Sequence, residues 1–184
     1  MKIGIDISQL AYENTGVANF LSNLVENLIK HDSKNRYILF YSSLRRDFRF
    51  SVLGFGGAFK NQELPSNIQI KKFKIPPTLL DLLWNGLHIM PIENFIGNVD
   101  IFITSDWTEP PTKKAKKATI LYDLIVYKYP KETHKKIVDV QKRKLKWVKK
   151  ETSLVFCISK STALDAQNIL GIEKERLSVI YPGT

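Results

Sequence analysis

With 184 residues, 43% of them hydrophobic, the chain is long enough for one well-cored domain and short for two. Its 9 glycines and 8 prolines exclude a disordered or collagen-like protein. The net charge of +10 points to anionic ligands or surfaces, and the single cysteine excludes an internal disulfide framework.

In chain order, Lys2–Ser8 reads as a buried strand and is followed by an amphipathic helix from about Asn19 to Lys30. Phe20, Leu21, Leu24, Val25 and Leu28 fall at helical spacing and form its core stripe. Tyr37–Tyr41 and Ile68–Phe73 read as strands two and three, with a loop holding Gly54, Gly56 and Gly57 between them. Leu79–Ile89 reads as a helix, begun by Pro76-Pro77 and ended by Pro91. Strands four and five are Asp100–Thr104 and Ala118–Tyr122, and Lys131–Lys150 is a long basic helix. Leu154–Ile158 is strand six, Ser159–Leu170 a helix closed by Gly171, and Leu177–Tyr181 the last strand. Cys157, inside the apolar run Ser153–Ile158, reads as a core thiol suited to a reducing cytoplasm. No apolar stretch has the length of a membrane span and the first residues lack a signal-peptide core, so a cytoplasmic location is expected, free or peripheral on the membrane.

Strands separated mostly by helices predict an α/β, Rossmann-like, doubly wound and mostly parallel sheet of about seven strands, in a single domain over 1–184. Such sheets bind ligands outside the carboxyl ends of their strands. Four segments therefore carry the candidate site. Gly16-Val17-Ala18 lies between strand one and its helix, where free N–H groups and the helix dipole can seat a phosphate. A purely steric glycine is the plainer reading, since the G-x-G-x-x-G fingerprint is absent. Ser105–Pro111 follows strand four; there Trp107 offers an apolar face of the kind that stacks on sugars, with Thr108 beside it, or else simply packs in a proline-stiffened connection. Tyr122-Asp123 follows strand five, where an acid can bond hydroxyls or merely cap the next turn. Ser159 and Lys160 follow strand six, and Ser159 is an adequate helix cap.

Of the 28 basic residues, 14 lie between Pro111 and Lys150, against only Asp123, Glu132 and Asp139 as acids. The basic helix 131–150 admits three readings. It can face an anionic membrane, bind nucleic acid non-specifically, or present a solvated face with Ile137, Val140, Leu145 and Val148 turned inward. Trp147 is the one aromatic residue among the basic residues between Lys142 and Lys150, so no stacking platform for nucleic acid is evident.

The order of the pieces resembles the family 4 glycosyltransferases with the GT-B fold. The likeness runs from Met1–Asp6 and Thr15–Phe20 through Val99–Phe102, Pro110-Pro111 and Thr119–Leu124. It continues through Tyr129-Pro130, Cys157–Ser161 and Leu177–Gly183. The resemblance implies one half of a GT-B fold: the acceptor-side domain of a retaining enzyme that moves a hexose, as in the bacterial and archaeal hexosyl (often mannosyl) transferases. The donor would be a nucleotide sugar, and the acceptor a glycan or lipid-linked glycan in surface polysaccharide synthesis. It further implies no metal and no cofactor beyond the donor, with Gly16, Val17 and Ala18 near the donor phosphates. Tyr122 and Asp123 would stand at the catalytic position, and Trp107, Thr108, Ser159 and Lys160 in the cleft. The family usually carries His where this chain has Tyr122, and a tyrosine with a reference pKa of ~10 stays neutral at pH 7. A C-terminal donor-binding half with a Glu-x7-Glu motif is implied beyond Thr184, so the chain alone is expected to transfer nothing. The alternative is a non-catalytic remnant or partner subunit that binds a glycan or a separate donor domain.

Overall fold

The computed structural model describes residues 1–48 and 64–182; the loop glycines Gly54, Gly56 and Gly57, and Gly183-Thr184, lie outside the described residues. Seven strands form one sheet: β1 Lys2–Asp6, β2 Arg36–Ser42, β3 Ile68–Phe73, β4 Ile101–Thr104, β5 Lys116–Leu121, β6 Leu154–Cys157 and β7 Leu177–Val179. Their order is β3-β2-β1-β4-β5-β6-β7, and every neighbouring pair is parallel, not merely most of them. Helices flank this sheet in a Rossmann-like α/β arrangement. The chain winds outward in one direction from β1 and in the other from β4, so the topological switch lies between these two strands. β2 is buried at every residue after Arg36, as a strand covered on both faces must be.

The two faces are covered unequally. On one, Ile5, Ile7, Leu39, Tyr41 and Ile120 pack against helix α1 (Gly16–His31) and the short turn Ser8–Ala11. On the other lie two clusters. Ile38, Phe40 and Phe102 meet helix α2 (Pro77–Leu80), its π-helical continuation Asp81–Gly86, and α3 (Glu93–Ile96). Leu121, Val155 and Cys157 meet α4 (Ile125–Lys128), α5 (Lys135–Glu151) and α6 (Lys160–Leu170). Cys157 is indeed a core thiol, and burial pushes it up to about 11.

Several boundaries differ from the sequence expectation. α1 begins at Gly16, not Asn19, because Thr15 caps it: the Thr15 hydroxyl accepts from the Ala18 N–H at 3.2 Å. Its fully buried stripe is Ala18, Leu21, Val25 and Ile29, while Phe20, Leu24 and Leu28 pack at the edge. The Leu79–Ile89 helix is an α-turn followed by a π-turn, which carries Trp84 and Asn85 into the interior. The basic helix starts at Lys135, and α4 occupies Ile125–Lys128 ahead of it. Ile137 is 39% exposed; the inward position belongs to Val138. α6 follows expectation: Ser159 caps it and Gly171 ends it at φ 66°, with the Ile172 N–H reaching back to the Ala166 carbonyl.

Gly4 sits at the centre of β1, where an added Cβ would come within 2.7 Å of the Phe102 ring and 2.8 Å of Ile96 Cδ1. Gly4→Ala is therefore expected to destabilise the protein by about 1–3 kcal/mol through overpacking. Equilibrium urea unfolding checks this, and an unchanged midpoint would show that α3 moves aside at no cost.

Candidate functional site

At the carboxyl ends of β5 and β6, on the thinly covered face, lies a groove of about 670 Å³. One wall is the first three turns of α1: Gly16, Val17 and Phe20, with Asn19, Asn23 and Asn27 spaced four residues apart along the same flank. The opposite wall and floor are Tyr122, Asp123, Ile158, Ile180 and Tyr181. The first-turn N–H groups of Gly16 and Val17 have no acceptor within their own helix, whereas that of Ala18 is taken by the Thr15 cap. Two donors, not three, are thus presented at the positive end of the helix dipole. Gly16 has a helical backbone, and a Cβ built there meets nothing within 4 Å. No steric need within the protein accounts for a glycine there.

Tyr122 forms the back of the groove without offering its hydroxyl to it. The ring meets Phe20 edge-on, with centroids 5.6 Å apart, and the hydroxyl lies 3.2 Å from Ser105 Oγ. Burial drives its pKa well above the ordinary tyrosine value, so the phenol stays protonated and acts as a wall and a hydrogen-bonding partner. Asp123 is exposed, and its carboxylate accepts from the Ile125 N–H at 3.0 Å, capping the turn into α4. It also lines the groove.

Behind Tyr122 the switch point is filled by ionisable and polar side chains. Ser105 joins the two layers: its hydroxyl meets Tyr122, and its carbonyl accepts from the Lys144 ammonium. Lys144 belongs to the basic helix yet is only 2% exposed. It lies in the field of Glu109, Asp106 and Asp6. Asp6 accepts from the Ser8 N–H at 2.9 Å and from Thr108, and Gln141 donates to Asp106 at 2.9 Å. Glu109 is fully enclosed, 2.6 Å from the Thr104 hydroxyl, 2.9 Å from that of Thr152 and 3.4 Å from the Lys117 ammonium. Burial lowers the pKa of Lys144 and raises those of Asp6 and Asp106; the opposite charges and hydrogen bonds work against each shift. Among the described residues, no group of three His, Cys, Asp or Glu side chains could hold a metal ion.

The residues singled out from the sequence fall into three places. Gly16, Val17, Tyr122 and Asp123 share the groove, while Ala18 lies beneath it, buried. Trp107 and Thr108 line a second groove of about 220 Å³ with Tyr12, Asp81, Lys136 and Ile137. Trp107 is half-buried there, its carbonyl bonded by Asn85 at 2.9 Å, and Thr108 turns inward to Asp6. Ser159 and Lys160 stand at the start of α6 and line neither groove; the Ser159 hydroxyl accepts from the Thr162 N–H at 3.0 Å. The sequence reading missed the buried cluster and the asparagine row. Both left a signal: Lys144 falls four residues from each of Val140 and Val148, and the asparagines repeat every four residues. No protein-family model matches this chain, and no curated protein does.

The cluster makes a pH-dependent prediction. Lys144→Met leaves Asp6 and Asp106 without their nearest ammonium and Glu109 with Lys117 alone, which costs about 3–5 kcal/mol at neutral pH. Asp6 and Asp106 already have raised values in the folded protein, and losing the ammonium raises them further. A raised carboxyl favours the folded state as it takes up a proton, so the variant's deficit shrinks as pH falls from 8 towards 5. Thermal melts of both proteins across that range check this. A deficit that is constant with pH would show that Lys144 matters only as packing.

Proposed function

We propose that this chain is the acceptor-side domain of a retaining glycosyltransferase that uses a nucleotide-activated hexose, with a glycan or lipid-linked acceptor. The observation that supports the reading best is the composition of the larger groove. It sets two unpaired helix N–H groups beside aromatic faces and a row of amides. Helix N–H groups favour a diphosphate. Aromatic rings cover the apolar faces of a sugar, and amides and a carboxylate match its hydroxyls. In this reading Asn19, Asn23 and Asp123 hold hydroxyls, Tyr122 shapes the back wall, and leaving-group charge is met by the α1 terminus without a metal. The cytoplasmic location and the role in polysaccharide synthesis belong to the same proposal. A donor-binding partner domain completes the cleft.

A second reading is a non-catalytic subunit that binds a glycan or a separate donor domain. It is favoured by Tyr122, whose hydroxyl is already engaged by Ser105 and is not free to act on a substrate.

Gly16→Ala tests the first reading. The added methyl clashes with nothing and improves helix propensity, so the melting temperature is expected to hold or rise slightly. Affinity for a nucleotide sugar, measured by titration calorimetry or saturation-transfer NMR against the common UDP- and GDP-hexoses, is expected to fall about tenfold, or ~1.4 kcal/mol. Equal affinity in both proteins would remove the helix end from donor binding.

A further inference from the structure

Helix α2 with its π-turn and helix α5 lie side by side on the same face of the sheet, in matched register. Arg143 meets Asp81 at 2.5 Å, the Trp147 indole N–H donates to the Asn85 carbonyl at 2.8 Å, and Glu151 meets His88 at 3.0 Å. Inward, Leu80 and Trp84 pack on β2 and β4, while Leu145 and Val148 pack on β5 and β6. The outward flanks of both helices consequently make one surface.

That surface has an unusual make-up. Leu79, Leu82, Leu87, Ile89 and Met90 are all exposed, Leu82 and Leu87 by 53% and 58%. A helix that is apolar on its outer side as well as its inner side lacks a partner. The segment after the π-turn is also held firmly in place. His88 and Met90 have φ of 54° and 60°, a left-handed conformation that bulky side chains adopt at a cost of about 1–3 kcal/mol each. Hydrogen bonds lock it: the Trp84 indole N–H donates to the Met90 carbonyl at 3.0 Å, and the Ile89 N–H to the Leu83 carbonyl at 2.9 Å. The fixed turn holds Leu87, Ile89 and Met90 outward. On the flank of α5 beside these apolar side chains, Lys136, Lys146 and Lys150 are exposed. Lys146 and Lys150 lie over the Trp147 ring, 5.4 and 5.0 Å from its centre, and Trp147 in turn stacks on His88 at 3.5 Å. Lys146 and Lys150 therefore border the apolar patch directly.

We propose that this surface docks on an anionic lipid bilayer, with Leu82, Leu87, Ile89 and Met90 entering the interface and the α5 lysines meeting the headgroups. The choice of lipid over a protein partner rests on charge and composition. The patch is bordered by flexible lysines, which protein interfaces exclude from their centres, and the one arginine at its edge, Arg143, is already paired. Lysine stems snorkel, keeping the ammonium at the headgroups while the apolar residues insert. Among the described residues, no helix is long and apolar enough to cross a membrane, so this mode is attachment to the surface. The inference is independent of glycosyl transfer.

The test is co-sedimentation with phosphatidylcholine vesicles, with and without phosphatidylglycerol, alongside near-UV circular dichroism to confirm the fold. The protein is expected to bind the anionic vesicles only, and less at high salt. Lys146→Gln with Lys150→Gln is expected to weaken binding roughly 25-fold, about fivefold for each lysine. Leu82→Asp with Leu87→Asp is expected to abolish it in a protein that remains folded. Equal binding to neutral vesicles, or anionic binding untouched by the leucine variant, would overturn the proposal. So would self-association that the leucine variant abolishes in a protein that binds no vesicles, which would make the surface a protein interface.

Discussion

The arrangement at the switch point turns on Lys144, one of two lysines buried there with Lys117. Lys144 reaches from α5 to the carboxyl ends of β1 and β4, bonds the Ser105 carbonyl, and stands in the field of Asp6, Asp106 and Glu109. Each carboxylate comes from the carboxyl end of a central strand or the loop just beyond it. Without Lys144, Glu109 would keep Lys117 alone, while Asp6 and the half-buried Asp106 would lose their nearest ammonium at the place where such folds bind ligands. Ion clusters of this kind add little net stability compared with an apolar core. What this one does is fix geometry: α5 must sit at one height, and the loop after β4 must follow one path.

That constraint passes to the groove through Ser105. Because its carbonyl is held by Lys144, its hydroxyl is presented at a set distance from the Tyr122 phenol, and the Tyr122 ring is held against Phe20 of α1. The back wall of the groove is thus braced from the opposite layer of the molecule. The front wall has a different origin. Thr15 starts α1 three residues earlier than periodicity suggests, which converts Gly16-Val17-Ala18 from loop into first turn and leaves two N–H groups directed outward. One wall is positioned by electrostatics, the other by a single helix cap.

The strands were legible because buried parallel strands are written as short, nearly continuous apolar runs, and Tyr37–Tyr41, Ile68–Phe73 and Leu154–Ile158 have no competing helical reading. Helix starts were less so. The cap at Thr15 precedes a glycine, and glycine by itself signals a turn. The π-turn at Asp81–Gly86 could not be anticipated from a 3.6-residue period, since it shifts the stripe by one residue and brings Asn85 inward with Trp84. For the candidate site, Gly16, Tyr122 and Asp123 could be grouped in advance because the strand-end rule selects them. Lys144 escaped because charge on a helix was read as a mark of the surface, and Asp6 because it stood inside a strand read only for its apolar run. Composition counts Lys144 with its neighbours on α5, whereas its spacing from Val140 and Val148 sets it apart.

α5 uses one residue type for two opposite purposes. Lys144 is desolvated and spends its charge within the protein, while Lys142, Lys146, Lys149 and Lys150 keep theirs at the surface. The two roles are linked by the register of the helix. Rotating α5 far enough to expose Lys144 would draw Leu145 and Val148 out of the core and would break the Asn85–Trp147 and Arg143–Asp81 contacts. The buried cluster therefore sets how the outer lysines face, and their alignment with Leu82 and Leu87 follows from the same contacts. The groove opens at the strand ends on the α1 face, whereas the lysine-rich surface lies on the opposite face of the sheet. A protein attached by that surface keeps its groove clear of the bilayer plane and open to ligands from solution.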